Sequence, residues 1–202
     1  VIGEGWVAWQ RDETDRIDLV PDKASYQVGE TAHILVKSPY PVADALLSVE
    51  REGVLSARRV RLEGAATVLD IPVGEEAVPN VFVGLVLARG RVADQAPTAE
   101  DDPGRPAVKT GYTQLKVERA GKRLAVQVTP NASEYRPRDT VKLDLTVKDA
   151  KGQGVPAELT VWAVDEGVLR LTGYKLPDLV DAIHPPRGLA VRPGEALLGL
   201  VM

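Results

Sequence analysis

The segment PDKASYQVGETA at residues 21–32 has a counterpart, PNASEYRPRDTV, at residues 130–141. Tyr26 and Tyr135 are 109 positions apart, and so are Thr31 and Thr140, so the two segments align with a single spacing. A strand-like stretch precedes each segment, and an alternating apolar stretch follows it. A repeat of about 110 residues is too long for a solenoid and fits tandem β-sandwich domains. The repeat therefore predicts two related sandwich units in one chain.

Short strand patterns fill the first unit. Apolar and polar residues alternate most clearly in Ala45–Arg51 and Thr113–Val117, which predicts strands with one buried face. Turn signals at Glu52–Gly53 and Pro79–Asn80 separate neighbouring strands. Seven short strands in about 100 residues predict an antiparallel β-sandwich. The predicted strands are Arg16–Val20, Thr31–Lys37, Asp44–Arg51, Gly53–Leu62, Ala66–Ile71, Asn80–Arg89 and Gly111–Val117.

The second unit contains fewer strand patterns than a sandwich needs. Strands are predicted at Leu124–Thr129, Val141–Lys148, Ala157–Val164 and Val168–Thr172, and the pattern stops after Tyr174. Since a half sandwich exposes a core face and unpaired strand edges, the missing strands are expected to come from elsewhere. The predicted fold class is all-β, a tandem antiparallel β-sandwich whose second sandwich is incomplete.

Composition excludes several classes of protein. The chain has 202 residues, a formal net charge of -4 and dispersed charges, which is not the pattern of a nucleic-acid-binding protein. Cysteine is absent, which excludes disulfides, a thiolate nucleophile and thiolate metal ligands. No apolar run approaches the roughly 18 residues of a membrane-spanning helix. A start at Val1 without a signal-peptide pattern predicts a fragment of a longer protein.

Residues with catalytic or metal-binding chemistry are scattered. His33 lies on a predicted strand and His184 beside two prolines, without further ligands at a suitable spacing. The adjacent acidic residues Glu100, Asp101 and Asp102 allow a calcium site, but a solvated loop explains them better. No nucleophile elbow or phosphate-binding glycine loop is present. We therefore predict no catalytic residue, no cofactor and no metal ion, and a chain that is not an enzyme.

An acidic turn is predicted between the last two strands. The stretch VWAVDEGVLRLT at residues 161–172 has the pattern of a β-hairpin. Asp165 and Glu166 are expected in the turn, with the Asp165 carboxylate accepting backbone N–H groups and Gly167 at positive φ. Adjacent carboxylates on a strand point to opposite faces, so a catalytic pair is not expected.

The tail at Lys175–Met202 contains four prolines, which predicts neither a regular helix nor a central strand. An extended backbone of this kind can enter a protease active site. Arg187 and Arg192 suit trypsin-like cleavage, whereas Leu197 and Leu198 suit chymotrypsin- or elastase-like cleavage. An ordinary interdomain connection is the alternative interpretation.

Several phrases of the chain occur together in one order, and they end with the hairpin-like stretch Val161–Tyr174 followed by Pro177-Asp178. The earlier phrases are Asp18–Lys23 with Gly29–Ala32, Ser48–Leu55, Pro79–Val83, Leu87–Arg91 and Gly111–Val117. In these phrases and their order, the chain resembles the bacterial alpha-2-macroglobulin family. Arg138 departs from the family pattern, which usually has glycine where Gly29 stands in the first unit.

The resemblance implies macroglobulin-like sandwiches of fibronectin or immunoglobulin architecture that lead into a bait region. Residues 1–15 would be a linker or the end of a preceding domain, 16–120 the first sandwich, 121–178 half of the second, and 179–202 the start of the bait region or a connector. The hairpin with Asp165, Glu166 and Gly167 would anchor the bait. Target endopeptidases would cut at residues such as Arg187, Arg192, Leu197 and Leu198.

The resemblance also implies a broad-spectrum protease inhibitor of the periplasm or cell envelope, which traps proteases after bait cleavage. Its partners would be target endopeptidases and other macroglobulin domains of the same chain, with a membrane contact only through a lipid anchor elsewhere. The rival hypothesis is a tandem β-sandwich binding or adhesion module of a large secreted or surface protein.

Overall fold

A computed structural model of the chain describes residues 15–92, 104–136 and 138–191. The chain divides into unit 1, which comprises Val1–Glu118 and Pro186–Met202, and unit 2, which comprises Arg119–Pro185. The predicted linker at residues 1–15 and the acidic cluster at residues 100–102 fall almost entirely outside the described residues.

Unit 1 is a sandwich of seven antiparallel strands. They are β1 (Asp18–Pro21), β2 (Thr31–Lys37), β3 (Val42–Glu50), β4 (Val54–Glu63), β5 (Ala66–Pro72), β6 (Asn80–Arg89) and β7 (Ala107–Lys116). One sheet has the strand order β1-β2-β5, and the other has the order β4-β3-β6-β7. The seven strands predicted for this unit are confirmed, with bounds that differ by a few residues.

The core of unit 1 lies between the two sheets. Apolar side chains at alternate positions of the strands point inward, as the two-residue period of a pleated strand requires. Strand β6 lies in the middle of its sheet and is the most buried, with Val83, Leu85 and Leu87 at 0% exposure. Ile34 and Val36 from β2 complete the core from the opposite sheet. This rigid sandwich positions the site described below.

The described residues of unit 2 form two strands and two short α-helices. They are β8 (Ala125–Pro130), β9 (Leu143–Lys148), α1 (Glu166–Thr172) and α2 (Leu179–Ile183). Val128 pairs with Leu145 and Val126 with Val147, so one face of the β8–β9 pair is apolar. None of the residues described in this unit is buried. A two-stranded sheet with an open apolar face is not a closed sandwich, in agreement with the predicted incomplete second sandwich.

The predicted hairpin at Val161–Thr172 is wrong. The expected strand Val168–Thr172 is helix α1, and Ala157–Val164 does not form a strand. Asp165 is the N-cap of α1, and its carboxylate accepts the backbone N–H of Gly167 at 2.7 Å. Gly167 is helical rather than at positive φ, and the left-handed position belongs to Gly173 (φ 62°) after the helix ends.

Charge pairing also favours α1 over a strand. Glu166 accepts hydrogen bonds from Arg170 at 2.6 Å, one helical turn later. With an N-cap aspartate, this pair and a terminal glycine, the segment carries the start and stop signals of a helix. The apolar alternation of Val168–Thr172 covers only five residues, so it indicates a strand less strongly than these signals indicate a helix.

The expectation that prolines exclude a helix from the tail is wrong for α2. This helix fits between Pro177 and Pro185, and the Asp178 carboxylate caps it by accepting the N–H groups of Val180 and Asp181. Arg123 also donates to Asp178, and this hydrogen bond is the main reason why the pKa of the Asp178 carboxyl lies below its usual value. The start of the predicted connector is therefore an ordered part of unit 2.

Tyr26 forms a hydrogen-bonded motif in the first repeat segment. The Tyr26 hydroxyl donates to Asp22 Oδ1 at 2.7 Å, and the same oxygen accepts the backbone N–H of His33 at 2.9 Å. The backbone N–H of Lys23 donates back to the tyrosine hydroxyl at 3.1 Å. The motif thereby ties the segment before β2 to the strand itself.

The second repeat segment reproduces this motif 109 positions later. The Tyr135 hydroxyl donates to Asn131 Oδ1 at 2.8 Å, and that oxygen accepts the backbone N–H of Lys142 at 2.9 Å. Ala132 N–H donates to the Tyr135 hydroxyl at 2.9 Å, as Lys23 N–H does to Tyr26. The sequence repeat is therefore a structural repeat.

Arg138 occupies a backbone position that suits glycine. Its φ is 79°, and Gly29, the equivalent residue in unit 1, has a φ of 93°. A side chain in the left-handed region costs about 1–2 kcal/mol. The departure of Arg138 from the family pattern therefore preserves the turn but places an arginine in a strained conformation.

Replacing Arg138 by glycine is expected to slow hydrogen exchange of the β8–β9 amides about 2- to 5-fold. Release of the strain exceeds the entropy that glycine loses on folding, which leaves a net gain of about 0.5–1 kcal/mol. Arg136→Gly is the matched control, since Arg136 is not at positive φ, and it should give equal or faster exchange. Unchanged or faster exchange in Arg138→Gly would contradict the strain.

Candidate functional site

The segment that follows α2 and Pro185 is attached to the sandwich of unit 1. We call residues 186–191 the docked segment. It forms no helix or strand of its own, and it contacts the turn between β3 and β4 and the first residue of β6. The docked segment includes Arg187, the first of the residues predicted to be accessible to proteases.

The side chain of Asn80 makes two hydrogen bonds to the backbone of Arg187. The Asn80 Nδ2 group donates to the Arg187 carbonyl at 2.8 Å, and the Arg187 N–H donates to Asn80 Oδ1 at 2.8 Å. Asn80 is 1% exposed and begins β6, where its backbone pairs with Lys116. The amide side chain thus offers one donor and one acceptor to the docked segment, as a neighbouring strand does, from a rigid position.

Arg51 provides a second attachment point. Its backbone carbonyl accepts the N–H of Ala190 at 2.8 Å. Its guanidinium donates to the carbonyls of Glu76 and Val78, each at 3.0 Å, and so fixes the turn against the loop before β6. The docked segment is therefore held at two positions, Arg187 and Ala190.

Glu52 binds the side chain of Arg187. Glu52 Oε1 accepts from the Arg187 guanidinium at 2.6 Å, and its other oxygen lies 3.3 Å from Arg51 Nε. The hydrogen bond from Arg187 is the main cause that lowers the pKa of the Glu52 carboxyl below its usual value. The side chains of Arg187 and Glu52 are 44% and 56% exposed, so salt and water screen this pair. The buried amide of Asn80 consequently contributes more to docking than the ion pair does.

The other predicted residues fall elsewhere. Asp165 caps α1 in unit 2, and Glu166 and Gly167 lie in that helix. Arg192, Leu197 and Leu198 lie outside the described residues. Asn80, Arg51 and Glu52 were not among the site residues predicted from the sequence. Only one weak signal pointed to them, namely an asparagine that opens the otherwise apolar run VFVGLVL of β6.

Both histidines make hydrogen bonds within their own units. His33 Nδ1 lies 2.7 Å from Asp70 Oδ1 on the exposed surface of the β2–β5 pair, and His184 ends α2 with its N–H donated to Val180. In residues 15–92, 104–136 and 138–191, no group of three or more acidic, histidine or cysteine side chains could hold a metal ion. Over the same part of the chain, no helix combines the length and hydropathy of a membrane span.

Most of the chain matches a known protein-family profile. A profile described as the alpha-2-macroglobulin bait region domain matches residues 17–171. The match covers the sandwich of unit 1 and most of unit 2, and it ends within α1. The docked segment follows it.

Curated relatives carry the same family name. An alpha-2-macroglobulin homolog of a Nostoc species is 33% identical over 193 residues, which is 95% of this chain and 10% of the relative. An alpha-2-macroglobulin of Ralstonia nicotianae is 34% identical over 202 residues, covering 93% of this chain and 11% of the relative. The chain thus spans about a tenth of the length of these relatives.

Solved structures with a similar chain include a crystal structure of a Salmonella alpha-2-macroglobulin mutant. It is 24% identical, covers 87% of this chain and 11% of its own, and superposes with a TM-score of 0.46. The native conformation of E. coli alpha-2-macroglobulin is 20% identical over 91% of this chain, also with a TM-score of 0.46.

Proposed function

The chain belongs to the alpha-2-macroglobulin bait region domain family, and from this premise we propose that it presents the bait segment of a broad-spectrum protease inhibitor. Unit 1 acts as the scaffold. The region of Asp165, Glu166 and Gly167 precedes the bait, and the segment from about Leu179 to Met202 offers Arg187, Arg192, Leu197 and Leu198 to target endopeptidases. The chain itself performs no catalysis in this proposal.

The attachment of the docked segment carries the proposal. A segment without regular secondary structure, held by a few side-chain and turn contacts, can be released while the sandwich stays folded. Cleavage of the bait would remove a covalent connection that restrains the arrangement of domains, and the domains would then close around the protease. Trapping of this kind requires no catalytic group on the inhibitor.

The protein is proposed to act in the periplasm or cell envelope, with other macroglobulin domains of the same protein as its internal partners. A lipid anchor elsewhere in the protein would provide the only contact with a membrane. Cell fractionation with an antibody against the protein tests this location, and recovery with cytosolic markers would contradict it.

Limited proteolysis of the full-length protein tests the proposed function. Trypsin, chymotrypsin and elastase should all make their first cuts between Leu179 and Met202, and the particle should become more compact on a native gel. The control is the same protease with a chemically blocked active site, which should leave the shape unchanged. Early cuts elsewhere without compaction would contradict trapping and support the rival binding or adhesion module.

A further inference from the structure

We propose that the Arg187–Gly188 bond is a masked cleavage site, because unit 1 engages the same groups of Arg187 that a trypsin-like endopeptidase needs. This inference rests on the proposed function. Docking of the segment and cleavage after Arg187 are mutually exclusive, and the sandwich competes with the protease for one residue.

The scissile carbonyl is the first of these groups. Cleavage after Arg187 requires its carbonyl oxygen to enter the oxyanion hole of the protease, where backbone N–H donors stabilise the developing charge. In the docked segment this oxygen accepts from Asn80 Nδ2 at 2.8 Å. The Arg187 N–H, which a protease would pair with its own main chain, donates to Asn80 Oδ1 at 2.8 Å.

The guanidinium is the second group. Trypsin-like proteases select arginine through a carboxylate at the base of the specificity pocket. In the docked segment the Arg187 guanidinium binds the carboxylate of Glu52 at 2.6 Å. Insertion into the protease pocket therefore requires this ion pair to break.

The residues after the bond are restrained as well. Ala190, three residues beyond Arg187, donates its N–H to the Arg51 carbonyl at 2.8 Å. A protease binds its substrate as an extended strand on both sides of the scissile bond. Because the docked segment is held at Arg187 and at Ala190, the sandwich restrains both sides of the bond.

Release of the segment exchanges two protein hydrogen bonds of Asn80 for hydrogen bonds to water. Asn80 is 1% exposed, and both of its hydrogen bonds to the docked segment would be lost together. The rate of cleavage after Arg187 should therefore follow the small fraction of molecules in which the segment is undocked. The masked bond becomes available once a cut elsewhere or a domain movement frees the segment.

Limited trypsin digestion of the full-length protein, with the Arg187–Gly188 cut quantified by mass spectrometry, tests the masking. The initial rate in Asn80→Ala should exceed that of the wild type about 30-fold, since two part-buried hydrogen bonds are removed. In Glu52→Gln the rate should rise about 2- to 5-fold, because the lost ion pair is exposed. The wild-type bond should be cut at least about 30-fold more slowly than the same bond in a synthetic peptide of residues 180–195.

Glu63→Gln is the matched control. Glu63 is a 74% exposed carboxylate on β4 that pairs with Arg61, so its loss changes the net charge equally without touching the docked segment. Its cleavage rate after Arg187 should equal that of the wild type. Hydrogen exchange of the β6 amides shows whether Asn80→Ala keeps the sandwich folded. If this variant unfolds, the cleavage rates of Glu52→Gln and Glu52→Arg test the masking instead, and both should exceed the wild-type rate.

Two results would overturn the masking. One is a wild-type rate equal to that of the peptide, and the other is an unchanged rate in both Glu52 variants and in folded Asn80→Ala. Failure of this inference is distinguishable from failure of the proposed function. Rapid cleavage after Arg187 with compaction of the particle rejects the masking alone, whereas a masked bond in a particle that never compacts rejects trapping alone.

Discussion

Replacing Tyr26 by alanine is expected to lower the free energy of unfolding of unit 1 by about 3–5 kcal/mol. The ring is 1% exposed within the core, and the hydroxyl completes the hydrogen-bonded motif with Asp22. Removal of the ring leaves a cavity, and removal of the hydroxyl leaves the Lys23 N–H without its partner. Hydrogen exchange of the β6 amides measures the loss.

Tyr26→Phe separates the hydroxyl from the ring. It should cost about 1–2 kcal/mol, since it removes the hydrogen bonds and keeps the packing. Burial, followed by the hydrogen bond to Asp22, raises the pKa of Tyr26 from 10.0 to about 12. The neutral hydroxyl therefore stabilises the fold fully below pH 10.0, and this contribution is lost as the pH rises through about 12.

Ultraviolet titration checks the alkaline part of this prediction. Of the five tyrosines, Tyr26 should contribute a component near pH 12 that is absent from Tyr26→Phe. Tyr135→Ala is the matched control for packing, because Tyr135 has the equivalent hydrogen bonds but is 36% exposed. It should cost no more than about 1 kcal/mol in unit 2. An equal loss of unfolding free energy in Tyr26→Ala and Tyr135→Ala would show that burial of the ring does not determine the cost.

Replacing Gly111 by alanine is expected to destabilise unit 1 by about 3 kcal/mol. Gly111 lies in β7 opposite Leu85, and a Cβ built there would lie 2.3 Å from the Ile17 carbonyl oxygen and 2.7 Å from Ile17 Cγ2. The Ile17 N–H donates to the Thr110 carbonyl at 2.9 Å, so the two backbones are held together. Since the nearest atom belongs to the backbone, a side-chain rotation cannot relieve the overlap.

Gly90→Ala is the matched control, and denaturation measures the free energy of unfolding of both variants. An added Cβ at Gly90 has no heavy atom within 4 Å, so this control should change stability by less than about 0.5 kcal/mol. Equal stability of the two variants would show that the segment at Ile17 is free to move away from β7.

Local sequence was sufficient to predict most strands of the first unit and the repeat of the tyrosine segment. The pattern of apolar and polar residues within a strand is a local property. The strands Thr31–Lys37 and Asn80–Arg89 were both predicted with the bounds that the structure has. The spacing of Tyr26 and Tyr135 correctly indicated two related motifs. Local sequence was misread at Val168–Thr172, where five residues suit a strand or a helix and the caps Asp165 and Gly173 decide for the helix.

The seven strands of the first sandwich and the two repeated tyrosine segments can be read from the sequence, because each strand or segment consists of residues close together in the chain. The contacts of Arg187 with Asn80 and Glu52, and the close approach of Gly111 to Ile17, are visible only in the folded structure. Asn80 and Arg187 are 107 positions apart, and nothing in either neighbourhood specifies the other. Such contacts arise when the sheets pack and bring distant backbone and side-chain groups within hydrogen-bonding distance, which no local pattern encodes.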